Sequence, residues 1–308
     1  MDVVTGRLRS LKLWITPISL VFITVTLVRQ SVQLRQQSLD VQGWLWLMLG
    51  LGLTWLSILI NGWAWRTVLD WLGWLSEDLA VVPLFIRSNL RKYLPGGIWH
   101  LVERIRLLRS SIGAGPALTG VILDPLLTIA ASLLTLIVGG WQSGLVILAP
   151  LPALTMIPRF REPILQWLKH SKASKLQSAG MSSLITENSD HQGYPWTPLM
   201  AATIFVLFRF AGFFCCVQAF DIYQPKISHW LAAFGLAYAI GLMTPGAPSG
   251  LGVFETILLL RLSGSVEEAP LLMITFSHRI ISTMADVLAV GILSGHRVFS
   301  AVRTRTII

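Results

Sequence analysis

From Trp44 to Trp65 the chain carries no charged side chain, and the run is framed by Trp44 and Trp46 at one end and Trp63 and Trp65 at the other. About 20 apolar residues are what an α-helix needs to cross the hydrocarbon core of a bilayer, and indole rings favour the membrane–water boundary. Further apolar runs follow the same rule: Leu13 to Val28, Ala117 to Trp141, Gly144 to Ile157, Leu199 to Phe220 and Pro270 to Leu293. Of these, Leu13 to Val28 is slightly short and lacks a small-residue cleavage site after it, so it reads as an uncleaved span rather than a signal peptide. Gly144 to Ile157 is short and interrupted by Pro150 and Pro152. Hydrophobic residues make up 54% of the chain and charged ones only 13%, against about 25% charged in soluble domains. The expected fold is therefore all-α: one polytopic transmembrane helical bundle over residues 1–308, with about six full spans. One or two broken or re-entrant hairpins complete it, with a flexible cytoplasmic loop at about 159–196.

The breaks are as informative as the runs. Trp230 to Leu260 is apolar at both ends but is interrupted by Thr244-Pro245-Gly246-Ala247-Pro248-Ser249-Gly250-Leu251-Gly252, which cannot be continuous helix. Irregular backbone at membrane depth survives only when buried in protein or lining a wet cavity. A second break, Pro95-Gly96-Gly97, lies within a mixed apolar and basic segment, Val81 to Val102. Two broken segments in the two halves of a chain are the mark of transporter folds with internal repeats. The stretch from Pro95 to Glu103 also echoes that from Pro248 to Glu255, out of register by one; by itself this similarity is weak.

Positive charge gives the orientation. With the N-terminus inside, 18 of the 24 Lys and Arg fall on the inner side, grouped at Arg7–Lys12, Arg66–Arg109, Arg159–Lys175 and Arg297–Arg305. That count requires Trp230 to Leu260 to enter and leave on one face, so the positive-inside rule independently supports a hairpin. Both termini are then cytoplasmic. The net charge of +9 follows from this topology, and nucleic acid is not an expected partner. The adjacent Cys215 and Cys216 lie inside an apolar run and offer no disulfide framework. The six scattered His show no zinc spacing. No metal, cofactor or catalytic set is read from the sequence.

Candidate function rests on charges within apolar runs. An ionisable side chain at the bilayer centre costs about 2.5–3.5 kcal/mol and normally faces the bundle interior. Arg209, Arg279, Asp286, Asp124 and Glu255 are the candidates. Arg279 and Asp286 are seven apart, on one helix face and about 10 Å from each other. Arg209 needs an acid from another helix, with Asp124, Glu255 or Asp286 available. Asp124, near a span end, reads as an interfacial or capping residue. Glu255 opens the half-helix Val253 to Leu260, whose N-terminal N–H groups suit an anion such as a phosphate; the other reading of Glu255 is as the stabiliser of that helix start itself. Structural ion pairing is the competing reading for each charge.

Leu94-Pro95-Gly96-Gly97 with Glu103-Arg104 downstream, Pro245 to Gly252 followed by Val253-Phe254-Glu255, and a last span carrying Arg279 together resemble the transmembrane region of lysylphosphatidylglycerol synthases and their stand-alone relatives. Ser249 stands where that pattern has Gly. The resemblance covers nearly the whole chain and implies a bacterial cell (inner) membrane protein. It would translocate or bind an anionic phospholipid or lipid-linked intermediate. Without a counterpart of the soluble aminoacyl-transferase domain, the chain is not expected to make the modified lipid itself. The substrate-binding set is then Arg209, Arg279, Asp286, Glu255, Pro245, Gly246, Gly250 and Gly252, opposed by Pro95, Gly96, Gly97, Glu103 and Arg104. Membrane lipids are the expected partners, with a separate lipid-modifying enzyme as a second. The alternatives are an integral-membrane transferase, for which only Glu103, His100 and Glu255 offer bases, and a non-catalytic partner of such an enzyme.

Overall fold

The computed structural model describes residues 39–75, 79–93, 99–139, 144–177, 193–244 and 250–305, and within these every regular element is helical. Four helices are long and apolar enough to cross a membrane: α1 (Val41–Trp71), α4 (Ala114–Gly139), α7 (Trp196–Ala219) and the Glu268–Ser294 part of α10 (Glu268–Arg305). They match the expected runs at Trp44, Ala117, Leu199 and Pro270. The expected span Leu13 to Val28 lies outside the described residues, as do Pro95, Gly96, Gly97, Pro245 and Gly246.

Small residues set the tightest contacts between the long helices. Where α1 and α7 cross, Gly43 meets the Ala219 carbonyl, Gly50 meets Cys215 and Gly212, and a Cβ on Gly212 would collide with the Thr54 hydroxyl. Without a hydrophobic driving force inside lipid, such close backbone approach is what holds spans together. These pairings make α1 and α7 antiparallel. Gly50 also faces Ile281, and Ile58 clusters with Ala285 and Ala289, so α10 runs parallel to α1 and antiparallel to α7.

Between the long helices lie two helical hairpins. The first is α2 (Val81–Asn89), one 3-10 turn at Leu90–Tyr93, and α3 (Trp99–Ile112). Val82 touches Gly62 and Ile86 clusters with Ile58, so α2 runs back along the C-terminal half of α1 towards the middle of the bundle. The second is α8 (Ile227–Met243) and α9 (Val253–Leu262). Gly241 and Gly250 meet at its tip, and Phe234 stacks edge-on to Phe254 at 5.6 Å. Gly250 and Gly252 both have positive φ, 66° and 82°, which glycine adopts without steric cost. This pair realises the interrupted segment expected from Trp230 to Leu260. It starts at the end of the bundle where α7 finishes, Ser228 lying against Gly139. The first hairpin starts at the opposite end, where α1 finishes.

Two expectations are corrected. Gly144 to Ile157 is not one continuous helix: a 3-10 turn at Leu145–Leu148 is followed by α5 (Leu151–Leu154). Pro150 and Pro152 limit each piece to one turn, about 6 Å of rise. Ala149 packs with Leu136 and Ala232, and the Ala153 carbonyl four residues later accepts from the Tyr194 hydroxyl at 2.9 Å. The expected loop at 159–196 begins instead as helix α6 (Pro158–Gln177). Leu165 in α6 is buried in the main core, and Arg161 donates to the Gly193 carbonyl at 2.9 Å. These apolar and polar anchors outweigh the polar composition on which the loop reading rested.

Candidate functional site

The two hairpin tips reach the same helix from opposite ends. On α10, Thr275, His278, Ser282 and Asp286 are buried and follow one another at three- and four-residue steps, so they share one face of the helix. Asp286 receives the first hairpin. Asn89 Nδ2 donates to its Oδ1 at 2.6 Å, Tyr93 Oη donates to Oδ2 at 2.6 Å, and Lys92 Nζ lies 2.6 Å from Oδ2. Arg279, seven residues earlier, receives the second. Its Nε donates to Glu255 Oε1 at 2.8 Å, its Nη2 to the Gly250 carbonyl at 3.2 Å, and its guanidinium lies 5.4 Å from the Phe254 ring. The residues that flank the break of each hairpin thus bind opposite ends of a two-turn stretch of α10.

Glu255 has a double task. Its Oε2 accepts the Gly252 N–H at 2.8 Å while Oε1 holds Arg279. Of the two readings of Glu255, the structure shows the N-terminal stabiliser of its own helix, since its carboxylate takes the Gly252 N–H at the positive end of the dipole. Asp124 is also reassigned. It is buried in α4, accepts from Arg104 Nη1 at 3.0 Å, and is no interfacial cap. Arg104 donates from Nε to Ser88 Oγ at 3.1 Å and lies 3.9 Å from the Phe85 ring and 5.2 Å from the Trp65 ring. This cation is enclosed by aromatic faces and an acid, a favourable arrangement once water is excluded. Glu103 pairs with Arg91 at the rim of the same hairpin.

Arg209 is different. It sits in the middle of α7 and is 8% exposed. Phe213, one turn later, lies 5.4 Å from the His278 ring. Because α7 and α10 are antiparallel, Arg209 falls level with Ser282, between Arg279 and Asp286. It is within electrostatic range of Lys92, Tyr93, Tyr238 and His278. Each acid proposed for it has another cation: Asp124 has Arg104, Glu255 has Arg279 and Asp286 has Lys92. Among the described residues Arg209 forms no ion pair, and its buried Nε has no hydrogen-bond partner. The buried Ser282 Oγ and His278 Nδ1 beside it likewise lack partners among those residues. Neither Leu94–Ile98 nor Pro245–Ser249 contains an acid, so the two breaks cannot supply one.

The central region therefore assembles Lys92, Arg104, Arg209 and Arg279 against Asp124, Glu255 and Asp286. An unpaired buried cation is costly, so this arrangement favours an anion beside Arg209, with Ser282 and His278 as further hydrogen-bonding groups. Sequence reasoning identified Arg209, Arg279, Asp286, Glu255, Gly250, Gly252, Glu103 and Arg104, and passed over Asn89, Lys92, Tyr93 and Ser282. The available signal was position: Asn89, Lys92 and Tyr93 immediately precede the Pro95-Gly96-Gly97 break, where a hairpin tip had to lie. No protein-family model matches the chain, and no curated protein matches its sequence.

Proposed function

We propose that this chain binds the anionic headgroup of a phospholipid, or of a lipid-linked intermediate, at Arg209 and moves it between the leaflets of a membrane. The observation that carries the reading is the buried Arg209, level with the stretch of α10 between Arg279 and Asp286, while the three acids near it serve other cations. The order of elements supports it. A long helix, a hairpin and a long helix (α1, α2–α3, α4) are followed by the same series starting from the opposite end (α7, α8–α9, α10). In this reading the hairpins are re-entrant from opposite faces and the halves form an inverted repeat, with the substrate held near the midplane. On the same reading the first hairpin starts from the cytoplasmic face of a bacterial inner membrane, where the exposed Arg66, Arg106, Arg109 and Arg159 would attract anionic headgroups. The sequence resemblance to the transmembrane region of lysylphosphatidylglycerol synthases points the same way. A transferase reading is less well served, because two of its three candidate bases, Glu103 and Glu255, are each held by an arginine, which leaves His100.

The test is translocation of fluorescently labelled phosphatidylglycerol in proteoliposomes, read by chemical quenching of the outer leaflet. Wild-type protein is expected to expose the inner-leaflet probe, and Arg209→Ala to lose at least about tenfold in rate, equivalent to about 1.4 kcal/mol. Wild-type vesicles that behave like empty ones, or an Arg209→Ala variant as active as wild type, would sink the proposal.

A further inference from the structure

The three buried acids of the centre are held in two different ways. Asp124 and Glu255 each face an arginine, whose guanidinium stays charged at any physiological pH. Asp286 faces a lysine, with Asn89 and Tyr93 supplying neutral donors. A lysine ammonium is a single charge on a flexible four-carbon stem, and it can leave a partner without breaking a bidentate fork. Lys92 is also the cation of the first hairpin that lies within electrostatic range of Arg209. Its bond to Asp286 sits on the side of Arg209 towards the end where α1 finishes.

The other groups around Asp286 are already committed or neutral. Arg104 is bound to Asp124 and Arg91 to Glu103. Tyr238, on α8, is within range of both Asp286 and Arg209. On α10 itself His278 and Arg279 lie two turns away, Arg279 bound to Glu255. Across α1, from Val41 to Trp65, the sequence has no ionisable side chain, and the two breaks have none either. When Lys92 leaves, the groups bonded to Asp286 are the neutral Asn89 and Tyr93, the nearby Arg209 being taken by the anion, and a buried carboxylate stripped of its cation is strongly disfavoured. A proton is the simplest species that removes that penalty.

We infer that Asp286 is a proton-coupling site: Lys92 swings from Asp286 to the anion at Arg209, Asp286 takes up a proton from solvent, and the first hairpin is thereby released. The anion and the proton then move together, and loaded and empty forms of the centre carry the same net charge. This inference rests on the anion-binding reading of Arg209 and adds the co-substrate to it.

Calorimetric titration of the purified protein in neutral detergent with dihexanoyl-phosphatidylglycerol separates the two. Run in two buffers of different ionisation heat, it reports binding and proton uptake independently. Wild type is expected to take up about one proton per lipid bound near neutral pH. Asp286→Asn is expected to bind the lipid with no proton uptake, and Lys92→Gln to bind more weakly, also without uptake. Lipid binding by wild type with no proton uptake overturns the inference and leaves the anion site standing; this measurement needs no variant to fold. Uptake of the same size in Asp286→Asn also overturns it. Absence of lipid binding by wild type removes the anion site itself, and the coupling with it.

Discussion

The two hairpins occupy equivalent places in the chain order and are held by different forces. The first carries its own charges, Arg91, Lys92, Glu103 and Arg104, and finds Asp286 and Asp124 on the long helices. The second carries one acid, Glu255, and is otherwise an aromatic body: Phe234, Tyr238 and Phe254 pack on one another and on Phe213 and His278. Apart from the Glu255–Arg279 pair and Arg261 at the far end of α9, the second hairpin is seated mainly by aromatic packing. A charged one is stable in the interior only while every charge keeps its partner. The proposed lipid and proton would therefore act on the first hairpin, through its Lys92–Asp286 contact.

The strongest way to break this comparison is at Arg104. Arg104→Ala leaves Asp124 buried without its cation and is expected to cost about 3–5 kcal/mol, since removing one partner of a buried pair costs more than the pair contributes. Thermal unfolding in detergent, followed by tryptophan fluorescence, measures it. The double change Arg104→Met with Asp124→Leu is expected to recover most of the loss. If the single variant unfolds like wild type, ionic seating of the first hairpin is wrong.

At the second hairpin the corresponding change is milder. Glu255→Gln keeps the shape and the Gly252 contact but removes the charge facing Arg279, whose side chain is 24% exposed and retains the Gly250 carbonyl. About 1–3 kcal/mol is expected. A loss as large as that of Arg104→Ala would mean that both hairpins are seated ionically. Phe254→Leu, which roughly conserves apolar volume, is expected to cost less than about 1.5 kcal/mol, and its effect on the second hairpin should exceed any on the first. Limited proteolysis around residues 244–252 and 94–98 would distinguish the two.

The same contrast explains what could be read from the sequence. Long uncharged runs and a Pro/Gly-dense interruption are local, so four spans and the α8–α9 hairpin were legible from residue order alone. The partners of the charges were not, because they are distant in the chain. Asn89 and Asp286 are separated by 197 positions and Arg104 and Asp124 by 20, and neither separation follows a helical or strand period. Arg209 could be singled out as a buried charge needing an acid, yet that each nearby acid already serves another cation required the packing. Helix α6 was hidden by its polar surface. Only its few buried contacts, such as Leu165 and Arg161, mark it as ordered.

The smallest expected effect sharpens the comparison most finely. Arg91 pairs with Glu103, whose side chain is 17% exposed, but the arginine itself is 44% exposed, so water and salt reach the interaction from its side. Arg91→Ala is expected to change stability by about 0–1 kcal/mol, as exposed pairs do, and less still in high salt. The neighbouring Lys92 is bound to a carboxylate that is fully buried. If charge at this tip acts through burial rather than through number, Lys92→Gln should alter lipid-linked proton uptake while Arg91→Ala leaves it intact. Equal effects from the two substitutions would mean that the tip acts as a diffuse positive surface, with Asp286 playing no distinct part.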